Sequence, residues 1–357
     1  MSEIKVNSIK GVAASSAAIT ISNTDGTCTA NIPDKSNYNL LINGQFDIWQ
    51  RATDSGSNTT DGYLAADRWR LASSGATKQV TRQSFTVGQT DVPSNPKYYL
   101  RYAVTIGNDN VALRQRIEGV DKVQGSVTLS FWAKGTNPAG GHFTITNRQD
   151  FGTGGSASSP VETGVADFTV TSSWVKKTFT FTPPSISGKT FGTNNNSYYG
   201  LEVFRQPADD TGTAAFTIDI ANVKLEYGSY ATDYQRINVG QELALCQRYY
   251  FRANRGADSG ERPIALGVYE NASTVTTTLR FADMRTNPTL DITDASDAFM
   301  IRRQGGSDNF DTFTLRYSTV NSAEIVSQSG QTSGNSGIGG MVRSSGVTTH
   351  LSFSAEL

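Results

Sequence analysis

The feature that most constrains this chain is an alternation of apolar and polar residues with period two, repeated along most of its length. In Val127-Thr128-Leu129-Ser130-Phe131-Trp132-Ala133, one face carries Val127, Leu129, Phe131 and Ala133, and the other Thr128, Ser130 and Trp132. A strand turns successive side chains to opposite sides, so such a run buries one face of an antiparallel sheet and leaves the other to water. The pattern recurs in Leu100-Arg101-Tyr102-Ala103-Val104, Leu113-Arg114-Gln115-Arg116-Ile117, Phe179-Thr180-Phe181 and Phe216-Thr217-Ile218-Asp219-Ile220. After Ile220 the apolar positions become Val223 and Leu225, which predicts a bulge near Ala221-Asn222. Further on, Ile264, Leu266 and Val268 alternate, as do Val275, Thr277, Leu279 and Phe281. Phe313, Leu315 and Tyr317 follow the same rule, and so do Val347, Thr349, Leu351 and Phe353.

The expected fold class is therefore all-β. Its 357 residues suit two or three units, given ~100–200 residues per domain. The 34 glycines and the abundant Thr and Ser favour strands joined by turns over helices. Residues 37–235 are read as a two-sheet sandwich, with turn-rich stretches at 152–160 and 183–196. Residues 236–248 are the one helical candidate, a connector with Val239, Leu243 and Cys246 at helical spacing and Glu242 near its start. Residues 249–357 form a second, smaller β-sandwich. Residues 1–36 are a polar arm in which Ile19 and Ile21 precede the turn pair Asp25-Gly26. The arm holds too few large apolar residues to fold by itself and is expected to order against a partner.

Several function classes are set aside. Lys and Arg number 31 against 32 Asp and Glu, a net charge of -1, so no basic footprint points to nucleic acid. No apolar run reaches the ~20 residues of a membrane helix, and membrane insertion is not expected. No basic stretch followed by an apolar core marks a secretory leader at the start of the sequence. Cys28 and Cys246 fall in different segments, which argues for synthesis in a reducing compartment without a disulfide scaffold. The sequence has no G-x-S-x-G, Walker loop, H-E-x-x-H or C-x-x-C. Its two histidines, His142 and His350, read as exposed strand residues, so no enzyme is expected. Carboxylate pairs that could cleave a glycan are plentiful, but no spacing singles one out.

Asn39-Leu40-Leu41-Ile42-Asn43-Gly44-Gln45-Phe46-Asp47-Ile48-Trp49-Gln50-Arg51, with Ala66-Asp67-Arg68-Trp69, resembles the opening of carbohydrate-binding jelly-roll modules in phage structural proteins. Ile218-Asp219-Ile220-Ala221-Asn222-Val223-Lys224-Leu225-Glu226-Tyr227-Gly228 resembles their close, and Glu242-Leu243-Ala244-Leu245-Cys246-Gln247-Arg248-Tyr249-Tyr250 the connector that follows them in tail-fibre proteins. Met284-Arg285-Thr286-Asn287-Pro288-Thr289 and Ser354-Ala355-Glu356-Leu357 resemble that family's C-terminal β-unit, and Ser2-Glu3-Ile4-Lys5-Val6-Asn7 the start of many phage appendage proteins. The resemblance implies a jelly-roll-like central domain, a virion location, a homotrimer, and host surface polysaccharide or lipopolysaccharide as partner. A head-decorating fibre and a glycan-cleaving tail protein are the alternatives.

Several sets of residues then carry expectations. Modules of this kind often hold a structural calcium ion, and Asp47 and Asp219 match the positions that supply its carboxylates; no other cofactor is implied. An aromatic on a solvent-facing side can stack on a sugar ring, which points to Trp132 and to one of Tyr198 and Tyr199, while Trp49 and Trp69 are expected in the core. The unbroken Tyr249-Tyr250-Phe251 suggests an interface between copies. The arm over 1–36 is expected to join other virion proteins, and the polar loops at 303–311 and 327–340 to face the host.

Overall fold

The computed structural model describes residues 8–9, 19–22, 24–26, 28–30, 38–72, 75–106, 111–206, 215–254, 260–328, 331–346 and 349–357. Most of residues 1–36, including Ser2 to Asn7, and Val347 lie outside the described residues. Within the arm, β1 (Ser8–Ile9), β2 (Ile19–Ile21) and β3 (Cys28–Ala30) pair antiparallel in that order. The expected turn is there: Gly26 takes φ 73° and donates its N–H to Ser22 O at 2.9 Å.

Ten strands build the central unit. They are β4 (Arg70–Ala72), β5 (Thr77–Ser84), β6 (Tyr98–Ile106), β7 (Ala112–Glu118), β8 (Val127–Gly135), β9 (Phe143–Asp150), β10 (Val161–Phe168), β11 (Val175–Phe181), β12 (Tyr198–Arg205) and β13 (Phe216–Tyr227). They pair antiparallel into a first sheet, β10-β9-β12-β7-β4, and a second, β11-β8-β13-β6-β5. The two sheets pack as a jelly-roll-like sandwich. Val127, Leu129, Phe131 and Ala133 are fully buried, as the alternation requires. Rings from opposite sheets lock edge to face: Tyr102 on Phe204 at 5.1 Å and Phe143 on Phe216 at 5.3 Å. The predicted bulge is present. The β13–β8 register shifts between Ala221 and Lys224, and Asn222 sits at φ 52°, so Val223 and Leu225 rejoin the core.

The opening motif is built to join this strand. A Cβ on Gly44 would lie 2.1 Å from the Val223 carbonyl oxygen, so only glycine fits. Asn43, at φ 59°, donates to Ile48 O (2.8 Å) and Asp67 O (3.0 Å) and accepts from the Ile48 N–H. Its carbonyl accepts from the Trp69 indole at 2.9 Å, and its N–H donates to Glu242. Gln45 reaches the bulge residue Asn222 at 3.1 Å. Trp69 is fully buried and Trp49 half-buried against the core, as expected.

The connector is a helix, α1 (Val239–Gln247), capped by the Asn238 side chain accepting from the Gly240 N–H. Its inward face differs from the expectation. Val239 is 53% exposed, while Glu242 and Cys246 are buried, because Glu242 turns in to accept from Asn43.

The C-terminal unit contains β14 (Tyr250–Arg252), β15 (Arg262–Asn271), β16 (Thr274–Arg280), β17 (Thr289–Ile292), β18 (Phe299–Arg303), β19 (Gly306–Phe310), β20 (Phe313–Thr319), β21 (Ser322–Ser327), β22 (Gly339–Ser344) and β23 (Leu351–Ser354). A three-stranded sheet, β14-β23-β17, accompanies a seven-stranded sheet, β19-β18-β22-β15-β16-β21-β20. The edge strands β19 and β20 are consecutive in the chain, with Phe310 and Phe313 rings 4.8 Å apart, so the larger sheet curls until its edges approach. Three sequence expectations change here. Leu266 and Val268 point outward, because the β15–β22 register shifts between Pro263 and Ala265 and puts Gly267 and Tyr269 inside. The 303–311 stretch is a strand hairpin, β18–β19, rather than a loop. Residues 329–330 of the 327–340 stretch lie outside the described residues, and beyond them the chain is pinned to this hairpin: Gln331 bonds Asp311, and the Ser333 N–H donates to Asp308.

The Tyr249-Tyr250-Phe251 run is buried within one chain. Arg68 stacks on Tyr249 at 3.4 Å and Arg51 on Tyr250 at 3.6 Å, while Phe251 packs on Phe281. Both arginines also pair with Glu356, and Arg285 donates to the Ala355 and Glu356 carbonyls at 2.9 and 3.2 Å. The aromatics therefore tie the two β-units of one chain together and are not free for another copy.

Candidate functional site

With the inner positions of each strand committed to the core, chemistry is left to the alternate, outward positions. The outer face of the second sheet carries Trp132 on β8, next to the edge strand, paired across the sheet with Lys176 on β11 and Ala221 on β13. Trp132 is half-buried and lines a hollow of about 470 Å³ with Pro93, Ser94, Asn222, Asp233 and Tyr234. The hollow exists because the chain from Gly228 to Asp233 returns across this face. Lys224 and Glu226, both buried, pair at 3.1 Å and bind Thr232, which fixes that return. Asn222, held by the bulge, donates to Pro93 O and Ser94 Oγ at 3.1 and 3.0 Å. Among the described residues the Trp132 ring has no aromatic, cation–π or hydrogen-bond partner, whereas Trp69 and Trp174 have ring partners and Trp49 donates to Phe46 O.

Beyond Trp132 on the same face lies a second aromatic group. Phe85, Tyr99 and Trp174 meet at 4.8–5.3 Å, and the Lys134 ammonium lies 5.0 Å from the Trp174 ring. Arg101 forks onto Asp219 at 2.7 and 2.9 Å, with Lys134 3.9 Å away. That bond holds the Arg101 guanidinium above its ordinary range, while burial and then the Asp219 charge push the Tyr99 phenol up.

The calcium expectation does not fit these neighbours. Both Asp219 oxygens are occupied by a guanidinium. Asp47 is half-buried, and burial raises its carboxyl despite Arg236 and Lys97 nearby. Calcium takes about six to eight oxygens, and no cluster of three or more His, Cys, Asp or Glu occurs among the described residues.

Tyr198 and Tyr199 separate as adjacent strand residues must. Tyr199 is in the core, where burial pushes its phenol up. Tyr198 faces out on the first sheet, but its ring lies under the Arg116 guanidinium at 4.4 Å and has no open face on that side. Trp132 and Tyr198 are thus on opposite sheets and do not form one site. The histidines are more engaged than expected. His142 sits 3.0 Å from Gly140 O, and His350 is half-buried between Thr293 (2.9 Å) and Asp291 (3.2 Å), which also accepts from Tyr250.

Tyr99, Lys134 and Trp174 were not singled out from sequence. The signal for Tyr99 was its phase: it precedes Leu100 and so points away from the Leu100–Tyr102–Val104 face. Trp174 lies just before β11 and only the fold brings it to Tyr99.

No protein-family model matches the chain, and no curated protein matches it. Solved structures similar to parts of it include the enzymatically active domain of tailspike protein 4 of bacteriophage CBA120, at 14% identity and a TM-score of 0.29, covering 52% of this chain and 21% of that one. A xylan-binding domain from Paenibacillus barcinonensis matches at 14% identity and a TM-score of 0.30, over 56% of this chain and all of that domain. The N-terminal cellulose-binding domain of a Cellulomonas fimi β-1,4-glucanase matches at 16% identity and a TM-score of 0.28, over 43% of this chain and 90% of that domain. The chain thus spans about a fifth of the tailspike structure's length.

Proposed function

We propose that this chain is a saccharide-binding structural protein of a tailed-phage particle, a trimeric tail fibre that holds host surface glycans without turning them over. The observation that carries the binding part is Trp132: an indole without a partner, beside a polar hollow, on the solvent face of a rigid sheet. Sugar rings present C–H faces that an aromatic can cover, while polar groups such as Asn222, Asp233 and Lys176 fix orientation. The phage assignment is supported by the sequence motifs that open and close the central unit, and the trimer by the same resemblance. The arm over 1–36 is the proposed attachment to other virion proteins. The reading as a binder rather than an enzyme rests on the sequence, in which no G-x-S-x-G, Walker loop, H-E-x-x-H or C-x-x-C occurs.

The test is retention on immobilised host surface polysaccharide. Wild-type chain should be retained with no release of oligosaccharide. Trp132→Ala should weaken retention about tenfold, near 1.4 kcal/mol. Unchanged retention in Trp132→Ala would remove the site, and release of sugar products would favour a glycan-cleaving protein. Mass measurement in solution decides assembly, since a stable monomer at micromolar concentration contradicts the trimer.

A further inference from the structure

The first sheet carries a different hollow on its outer face. β7 presents Arg114 and Arg116 outward, and their cross-strand partners extend the row. Arg114 pairs in register with Arg70 on β4 and Glu202 on β12, and Arg116 with Gly200, which in turn pairs with Arg148 on β9. Gly200 is the floor: a side chain there would begin 3.3 Å from the Tyr198 ring and 3.6 Å from Arg148 Cβ. The result is a cleft of about 280 Å³ lined by four arginines against three carboxylates, Asp61, Glu162 and Glu202.

These arginines are only partly answered by the protein. Arg70 pairs with Asp61 at 2.9 Å, Arg114 with Glu202 at 2.5 Å, and Arg148 with Asp150 at 3.1 Å and Glu162 at 3.7 Å. No Asp or Glu pairs with Arg116 among the described residues; it donates to a main-chain oxygen of Leu357, the last residue of the chain, and covers Tyr198. Arg70 Nη1, Arg114 Nε and Arg116 Nε are buried and have no acceptor among the described residues. Burial, and the nearby Arg116 and Arg114 against the help of Asp61, hold the Arg70 guanidinium below its ordinary range. Guanidiniums from three strands set around a floor kept open by glycine are an arrangement suited to an oxyanion, because guanidinium forks match carboxylate and phosphate oxygens.

We propose that this cleft binds an oxyanion carried on a saccharide, a uronate carboxylate or a phosphate ester. The saccharide carrier rests on the glycan-binding reading above; the oxyanion does not. The site is on the opposite sheet from Trp132, so the two can be lost separately.

The experiment is titration calorimetry of the full chain with three probes: an oligogalacturonate, a neutral oligosaccharide of equal length, and inorganic phosphate. The acidic oligomer should bind at least tenfold tighter than the neutral one and weaken as salt rises. If phosphate competes with it and the uronate alone is weak, the oxyanion source is a phosphate ester. Arg116→Gln should lower the affinity at least fivefold. Because Arg116 also holds Leu357, Arg148→Gln is the second variant; Arg148 is itself 41% exposed and does not hold the C-terminal unit, and its loss should have a similar effect. Equal affinity for acidic and neutral oligomers, no binding of either anion, or full affinity in Arg148→Gln would each overturn the proposal. Retention of a neutral host polysaccharide reads the Trp132 face separately, so failure of one site is not failure of the other.

Discussion

The two outer faces of the central sandwich share one core and differ in almost everything else. The first sheet turns out arginines and carboxylates in cross-strand rows, while the second turns out Trp132, Tyr99 and Lys134. The inner sides of the same strands are interchangeable in kind, Leu113 and Leu201 on one and Leu129 and Ile218 on the other. Burial fixes hydrophobicity at inner positions and says nothing about outer ones. The faces also differ in what lies behind them. The arginine face runs into the junction with the C-terminal unit through Arg116, Glu118 and Leu357, whereas the tryptophan face is covered by the chain's own return segment, 228–234.

The largest effect should come from the shared core. Phe131 is fully buried directly behind the Trp132 face and contacts Phe168 and Phe179. Phe131→Ala should cost about 3–5 kcal/mol, and denaturant melts should show it. Both faces should lose their ligands together in that variant. If one face kept full affinity at such a cost, the faces would not depend on a common core.

A smaller effect is expected at Asp219. Its side chain is nearly buried and answers both Arg101 and Lys134, so Asp219→Asn leaves two cations side by side. Arg101 is 40% exposed, and water would absorb part of the loss, leaving about 1–2 kcal/mol. The tryptophan face should weaken and the arginine face should not. Chelator should leave the wild-type melting temperature where it was, since Arg101 occupies the Asp219 oxygens; a clear drop would restore a metal to this carboxylate.

How far the sequence spoke follows the same division. Alternation located the sheets and even the bulge at Asn222, because a phase change in hydrophobicity has a single cheap explanation in a strand. It placed Trp132 outward correctly. It misplaced Leu266 and Val268, since a one-residue shift at Pro263 reverses every side chain after it and leaves no mark in composition. The opening motif was legible as a pattern, yet its meaning was structural: Gly44, Asn43 and Gln45 stitch the first segment to the last strand. The arginine cleft was written in Leu113-Arg114-Gln115-Arg116-Ile117 as two outward arginines. Nothing there said that Arg70 and Arg148, from other strands, would stand beside them, because strand order is a long-range property. Likewise Tyr249-Tyr250 read as an interface, and it is one, but within the chain.

The smallest effect separates the faces by acid. Glu118 closes β7 on the arginine face and binds Arg248 at 2.9 and 3.1 Å and the Tyr249 hydroxyl at 3.0 Å. Burial pushes its carboxyl up, but the Arg248 bond and charge and the Tyr249 hydroxyl outweigh that, so the group titrates below the ordinary glutamate range. A depressed carboxylate stabilises the fold above its unfolded pKa of about 4.3, and that stability is lost as pH falls through the folded value. The wild type should therefore lose melting temperature between neutral pH and pH 3 more steeply than Glu118→Gln, which has no proton to take up there. The shift should be modest, because Glu118 and Arg248 are each more than a third exposed. Over the same range, weakening of the junction should reach Arg116 and the acidic ligand first, while retention at Trp132 holds. Parallel acid slopes in wild type and Glu118→Gln, or simultaneous loss at both faces, would mean that the junction does not reach the arginine cleft through β7.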